Sequence, residues 1–167
     1  HNLRHGVDSV APIPESRWNR HALHTGRIEP GRTISQWGGF IDDIETIAPR
    51  LFGMSAEDAA DVDPLIRLFT ECSLAAAGDA RLGAEGLKGR RVGVFAGARS
   101  AQYSSRIEQP GKQSITGIGQ NFVSAYVSHL LDLRGPSLVL DTACSSSLAA
   151  IHLACQSLRC GEIEMAL

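Results

Sequence analysis

Cys144 stands in the stretch Ser-Leu-Val-Leu-Asp-Thr-Ala-Cys-Ser-Ser-Ser-Leu, residues 137–148, where the spacing of apolar residues changes. Leu138, Val139 and Leu140 form a short aliphatic run closed in front by Gly135-Pro136, which reads as a buried strand. From Leu148 onward, Leu148, Ile151, Leu153, Ala154, Cys155 and Leu158 follow helical spacing and stop at Gly161. Only a tight elbow fits between strand and helix, and Cys144 occupies it. The amides of Ser145, Ser146 and Ser147 are expected among the unpaired donors of the helix start. A thiol placed there faces the positive end of a helix, which favours the thiolate, and the same amides suit a developing oxyanion. A nucleophilic sulfur is the chemistry this pattern points to. The competing reading is structural, because a free cysteine is ordinarily a small core hydrophobe. Cys72, Cys155 and Cys160, each inside a helical apolar pattern, fit that reading; Cys144, followed by three serines, does not.

The elements that must hold this elbow can be read along the chain. Residues 7–39 are rich in Pro, Arg, Gly and His, and read as a surface loop with Trp18 and Trp37 pinned onto the body. The first residues, from His1, read as the end of a helix. Gly38-Gly39-Phe40 introduces a short element, and Ile47 to Phe52 is apolar enough to pack. Ser55 to Asp58 resembles a capping box, and Asp63-Pro64 has the N-cap and first-turn residues of a stronger helix. Leu65, Ile66, Leu68, Phe69, Cys72, Ala75 and Ala76 are expected on its buried face, with Gly78 as its stop. Arg91 to Ala96 reads as a strand ended by Gly97, and Ala98 to Gly119 as polar and irregular. Gly117 to Asn121 leads into a helix through Phe122, Val123, Tyr126, Val127, Leu130 and Leu131, closed by Gly135-Pro136. Ile163 to Leu167 begins another strand, so the elbow lies inside a β-α-β unit whose last strand is expected to be central and buried. Alternating strands and helices give an α/β class with a largely parallel sheet.

Composition narrows the possible functions. The chain has 167 residues, enough for a real core, and a net charge of −2. Its only lysines are Lys88 and Lys112 and its arginines are scattered, so neither nucleic acid nor an anionic membrane is an expected partner. No apolar run approaches the ~20 residues of a membrane span, and no secretory signal is visible. Four cysteines without metal-ligand spacing indicate reduced thiols in a cytoplasmic setting and no metal site. Gly93 and Gly97 lack the rest of a dinucleotide or phosphate-loop fingerprint and read as points of close backbone packing. There is no Gly-x-Ser-x-Gly elbow of the serine hydrolases. No histidine presents itself as a base: His152 lies eight residues beyond Cys144, ~12 Å along a helix axis, and His129 belongs to the preceding helix. Both ends read as cut within a larger domain.

The run Asp-Thr-Ala-Cys-Ser-Ser-Ser-Leu, residues 141–148, resembles the active-site motif of β-ketoacyl synthase domains, especially those of modular polyketide synthases. The likeness continues through residues 151–158 and 135–137. Upstream, Gly38 to Asp42, Phe52 to Ser55, and Asp63-Pro64 with Arg67-Leu68 match further family landmarks in order. Gly117 to Phe122 resembles the subgroup whose acyltransferases act in trans. Leu65-Ile66 departs from the family, which usually carries two glutamines there. The resemblance implies a thiolase-like fold of αβαβα layers, with residues 1–167 as most of its first half. It also implies that Cys144 accepts an acyl group from the phosphopantetheine of an acyl carrier protein, with no cofactor bound directly. The complete domain would then condense that group with a malonyl-type extender by decarboxylative Claisen chemistry. Gln120, Asn121 and Phe122 are expected to line the acyl pocket, near a homodimer axis passing the segment 120–140. The family's two catalytic histidines are not found in residues 1–167, so this stretch alone is not expected to condense. Two alternatives accompany this reading: a ketosynthase that passes acyl groups on without extending them, and a non-catalytic dimerisation or docking module of the larger synthase.

Overall fold

The computed structural model describes residues 1–44, 46, 48–99, 103–107 and 114–167. Ile47 and Lys112 therefore lie outside the described residues. The chain divides into two compact units, His1–Ile44 and Glu45–Leu167.

In the first unit, α1 (Asn2–His5) is closed by the left-handed Gly6, in keeping with a helical opening. Strand β1 (Val10–Pro12) pairs antiparallel with β2 (Trp37–Gly39). Between them, α2 (Arg20–Leu23) is capped by Asn19, whose Oδ1 accepts the Ala22 N–H at 2.9 Å. The stretch read as loop thus contains a hairpin-like pair and a helical turn. Trp18 and Trp37 are exposed, so neither ring is pinned as expected. Three-residue strands that themselves contain Pro12, Gly38 and Gly39 bury too little to cover an indole.

The second unit is a parallel three-stranded sheet in the order β4-β3-β5, with helices on both faces. Strand β3 (Val92–Gly97) lies at the centre. Strand β4 (Ser137–Leu140) pairs with it from Val94↔Ser137 to Gly97↔Leu140, and β5 (Met165–Ala166) through Val92↔Met165 and Gly93↔Ala166. The central, buried strand of the sheet is therefore β3, which lies between the two strands of the β4-helix-β5 crossover, and β5, expected there, is only half-buried. Side chains alternate across a strand, and β3 uses both faces. Val92, Val94 and Ala96 pack with Ile66 and Ala77 of α4 (Pro64–Asp79) and with Val123 and Val127 of α6 (Phe122–Leu130). Phe95 packs instead with Ala150, Leu153 and Ala154 of α7 (Ser146–Arg159). Each fully buried aliphatic side chain of this kind stabilises the fold by ~1.5–3 kcal/mol.

The helix starts follow local chemistry. Ser55 Oγ accepts the Asp58 N–H at 3.0 Å at the head of α3 (Ala56–Ala60), and Asp63 Oδ1 accepts the Leu65 N–H at 2.8 Å at the head of α4. Burial on α4 departs from the apolar pattern: Ile66, Arg67, Thr70, Ser73 and Ala77 are buried, whereas Cys72, Ala75 and Ala76 are exposed. Thr70 and Ser73 can be buried because each hydroxyl donates to the carbonyl four residues back, at 2.8 Å in both cases. The helix also runs through Gly78 to Asp79. The stretch read as irregular holds a short α5 (Ser114–Ile118) and a 3-10 turn at Tyr103–Arg106. Gly135 does not close α6, whose exit bends at Asp132 with φ +50°. Its glycine is required by close approach, since a Cβ would lie 2.5 Å from the Val92 carbonyl carbon.

Candidate active site

Beyond β4 the chain makes the expected elbow. Asp141 and Thr142 leave the strand, Ala143–Ser145 form one 3-10 turn, and α7 begins at Ser146. Ala143 has φ +55°, a left-handed conformation that costs a residue with a Cβ of order 1–3 kcal/mol. Cys144 follows it and is exposed. The turn is tied from both sides. Asp141 Oδ1 accepts the Ala143 N–H at 3.0 Å, while its other oxygen lies 3.5 Å from Arg99 Nε. Ser146 Oγ accepts the Thr142 N–H at 2.9 Å and donates to the Ala143 carbonyl at 2.7 Å. Ser145 Oγ donates to the Thr142 carbonyl at 2.8 Å.

Two of the three serine amides are not the unpaired donors that the sequence suggests. The Ser145 N–H reaches the Thr142 carbonyl at 3.4 Å, and the Ser146 N–H bonds to the Ala143 carbonyl. The reason is the 3-10 turn, which begins hydrogen bonding one turn before the α-helix does. Ser147 approaches the sheet instead. A Cβ on Gly97, the last residue of β3, would lie 2.5 Å from the Ser147 nitrogen and 2.6 Å from the Ser146 carbonyl carbon. Gly97 therefore acts as the close-packing glycine anticipated for it, and only its missing side chain lets the elbow rest on the strand.

The other anticipated residues divide between two cavities. Gln120 and Asn121 line one of about 420 Å³ with Ser124, Ser137, Val139 and Asp141. Gln120 is fixed there by its Nε2, which donates to the Ala98 carbonyl at 2.6 Å. Phe122 lines a second cavity of about 620 Å³, whose walls include Phe52, Met54, Tyr126 and His129. Tyr126 donates to the Phe52 carbonyl at 3.0 Å, and its partial burial raises the phenol above its ordinary value. Asp141 ties the first cavity to the elbow through Ala143; Phe122 faces elsewhere because it is the first residue of α6 and turns away from Asn121. His152 is exposed and 3.3 Å from Gln156 Nε2, so it engages its own helix. Among the described residues no cluster of His, Cys, Asp and Glu could hold a metal ion.

Cys72, Cys155 and Cys160 are exposed as well, which corrects their reading as core residues. Cys72 and Cys155 share the apolar spacing of α4 and α7 but lie on exposed faces, and Cys160 is the capping residue just after α7. On α7 the buried residues are Ser146 and Ala150, while Leu148, Ile151 and Leu158 are exposed. Cys144 is thus distinguished by its backbone setting rather than by exposure. Sequence reasoning missed Ser146 and Asp141 as ties of the turn; the alternation of burial along the three serines leaves no trace in their identity.

Comparison with known proteins is consistent along the chain. The family described as β-ketoacyl synthase, N-terminal domain, matches residues 1–167. The polyketide synthase ThaG of Burkholderia thailandensis is 41% identical over 174 residues, which cover 99% of this chain and 3% of that protein. The polyketide synthase PksL of Bacillus subtilis is 40% identical over 176 residues, 98% of this chain and 4% of its own length. A solved ketosynthase from module 6 of the bacillaene synthase of Bacillus subtilis superimposes with a TM-score of 0.85 at 33% identity, covering 99% of this chain and 27% of that one. The helix-sheet-helix layering is accordingly that of the thiolase-like ketosynthase fold. With its motif, its elbow and its relatives in agreement, the chain belongs to the β-ketoacyl synthase family, as N-terminal ketosynthase sequence of the polyketide synthase type.

Proposed function

We propose that Cys144 is the acyl acceptor of a polyketide ketosynthase. The observation that carries this is an exposed cysteine immediately after a left-handed alanine, at the junction of a parallel strand and a long helix. In the proposed step the Cys144 thiolate attacks the carbonyl carbon of an acyl thioester carried by the phosphopantetheine of an acyl carrier protein. A new carbon–sulfur bond forms, the carrier's carbon–sulfur bond breaks, and the released carrier thiolate takes up a proton. Thioesters suit a thiolate nucleophile because the incoming and leaving groups are alike. The Cys144 N–H supplies one donor for the oxyanion; the Ser145 and Ser146 amides, already bonded, do not.

In the complete domain, decarboxylation of a malonyl-type extender and Claisen condensation follow, using groups beyond residues 1–167. Gln120 and Asn121 border the approach to the elbow through their shared cavity with Asp141, and Phe122 offers an apolar wall for an acyl chain in the other. Strand β4 leaves one side unpaired by the described strands and exposes Leu138, which supports homodimerisation along this edge. Light scattering on the complete domain tests it, and a monomer at micromolar concentration contradicts it. Among the described residues no helix is long and apolar enough to cross a membrane.

The acyl-acceptor role is tested by incubating the complete domain with an acyl-loaded carrier protein and mapping the adduct by mass spectrometry. One acyl group on Cys144, lost in Cys144→Ala, is the expected result. Acylation indifferent to that substitution refutes the role. Acylation at Cys144 without product after addition of a malonyl-loaded carrier assigns the domain to the non-elongating class.

A further inference from the structure

Three consecutive serines follow Cys144, and their surroundings differ. Within residues 141–148 Ser146 alone is buried, at 7% exposure, while the others are exposed. Its hydroxyl has one proton and two acceptor lone pairs, and uses both capacities across the same residue. It accepts the N–H of Thr142 at 2.9 Å on one side of Ala143 and donates to the Ala143 carbonyl at 2.7 Å on the other. Ala143 is the left-handed residue, with φ +55°. An alanine there would ordinarily relax toward negative φ. Such a relaxation would swing the next Cα–Cβ bond, which carries the sulfur of Cys144.

Ser145 lacks this geometry. Its hydroxyl lies 2.8 Å from both the carbonyl and the Oγ1 of Thr142, so both of its contacts fall on one side of Ala143. A hydroxyl buried under the turn, bonded on both sides of the strained residue, is what a brace requires. We propose that Ser146 is a positioning residue: it holds Ala143 left-handed and thereby fixes the direction in which Cys144 presents its sulfur. This rests on the reading of Cys144 as the acyl acceptor, and the test separates the two.

The complete ketosynthase domain is used, with an acyl N-acetylcysteamine thioester as one probe and iodoacetamide as the other. Each reports the rate of modification at Cys144 by mass spectrometry. Ser146→Ala is expected to lower the maximal acylation rate about tenfold or more, the scale of a lost buried hydrogen bond, while the half-saturating thioester concentration changes less than about threefold. The decisive comparison adds Ala143→Gly, because glycine takes positive φ without the steric cost. Relative to Ala143→Gly alone, the further Ser146→Ala change is expected to cost less than about threefold. A role in general stability would not be relieved in this way.

An Ser146→Ala domain acylated and alkylated at the parental rate overturns the proposal. So does a tenfold loss that persists undiminished in the Ala143→Gly background. Should Ser146→Ala alone fail to fold, the comparison of the double variant with Ala143→Gly decides by the same two thresholds. If the parent takes no acyl group on Cys144, the acyl-acceptor reading fails, and the iodoacetamide series still decides whether Ser146 directs the sulfur.

Discussion

Replacing Gly97 by alanine should misplace Cys144, the proposed nucleophile, without touching it. The added Cβ would sit 2.5 Å from the Ser147 nitrogen, 2.6 Å from the Ser146 carbonyl carbon and 2.8 Å from the Ser147 Cα, where ordinary contact begins at 3.4 Å. All three are backbone atoms, so no rotamer change relieves the clash. Strand β3 cannot retreat easily, being paired with β4 on one side and β5 on the other. The start of α7 must therefore lift by about 0.9 Å. Overpacking of this kind costs ~1–3 kcal/mol. A displacement near 1 Å at a reacting group lowers rates by up to ~100-fold. The assay pairs urea denaturation of the complete domain with time-resolved acylation of Cys144. Gly93→Ala is the control, since its Cβ would meet side-chain atoms of Phe95 at 2.5 Å and Ile163 at 3.1 Å, away from the elbow. Both variants should lose stability, and only Gly97→Ala should lose acylation beyond about threefold. Equal acylation by the two variants would refute the account of Gly97 as the seat of the elbow.

Tyr126→Phe should destabilise the complete domain by ~1 kcal/mol in urea melts, through loss of the 3.0 Å bond to the Phe52 carbonyl. Burial raises the Tyr126 phenol above its ordinary value of 10.0, so its contribution is fully present below that pH and fades as pH rises through the folded value. The phenylalanine variant should lack this part of the alkaline fall. Glu164 is held below the usual carboxylate range chiefly by its hydrogen bond from Arg90, with Nη2 to Oε2 at 3.1 Å, and by the Arg91 N–H. A lowered folded value means stability present above about 4.5 and lost as pH falls through the folded value; a proton titration of Glu164 by NMR that gives an ordinary or raised value contradicts this.

The strand, the elbow and the following helix were legible because each has a local cause: an aliphatic run behind Gly135-Pro136, a change of apolar spacing, and a stop at Gly161. The burial expected of that strand was not, since β4 is exposed at Ser137 and Leu138 and only half-buried at Val139 and Leu140. The caps at Ser55 and Asp63 were legible for the same reason, since each hydrogen bond closes within three residues. What could not be read depends on partners far along the chain. Thr70 and Ser73 lie on the buried face of α4, whose main neighbour is α6, and their hydroxyls find carbonyls within the helix. Leu148, Ile151 and Leu158 share the helical spacing of core residues yet are exposed, since spacing gives a stripe and does not say which stripe meets β3. The same limit misled the reading of Cys72, Cys155 and Cys160. Within the candidate site, the elbow that carries Cys144 was read from its setting, whereas Ser146 was hidden among identical neighbours and the separation of Phe122 from Gln120 and Asn121 required the turn into α6.

Exposure of all four cysteines makes one measurement decisive. The complete domain is charged with a single equivalent of acyl-loaded carrier protein, digested under conditions that preserve thioesters, and mapped peptide by peptide. Acyl mass on the peptide bearing Cys144, with Cys72, Cys155 and Cys160 unmodified and no transfer in Cys144→Ala, is the predicted outcome. Acyl mass spread among the four thiols, or carried elsewhere when Cys144 is replaced, would mean that the strained elbow confers no special reactivity.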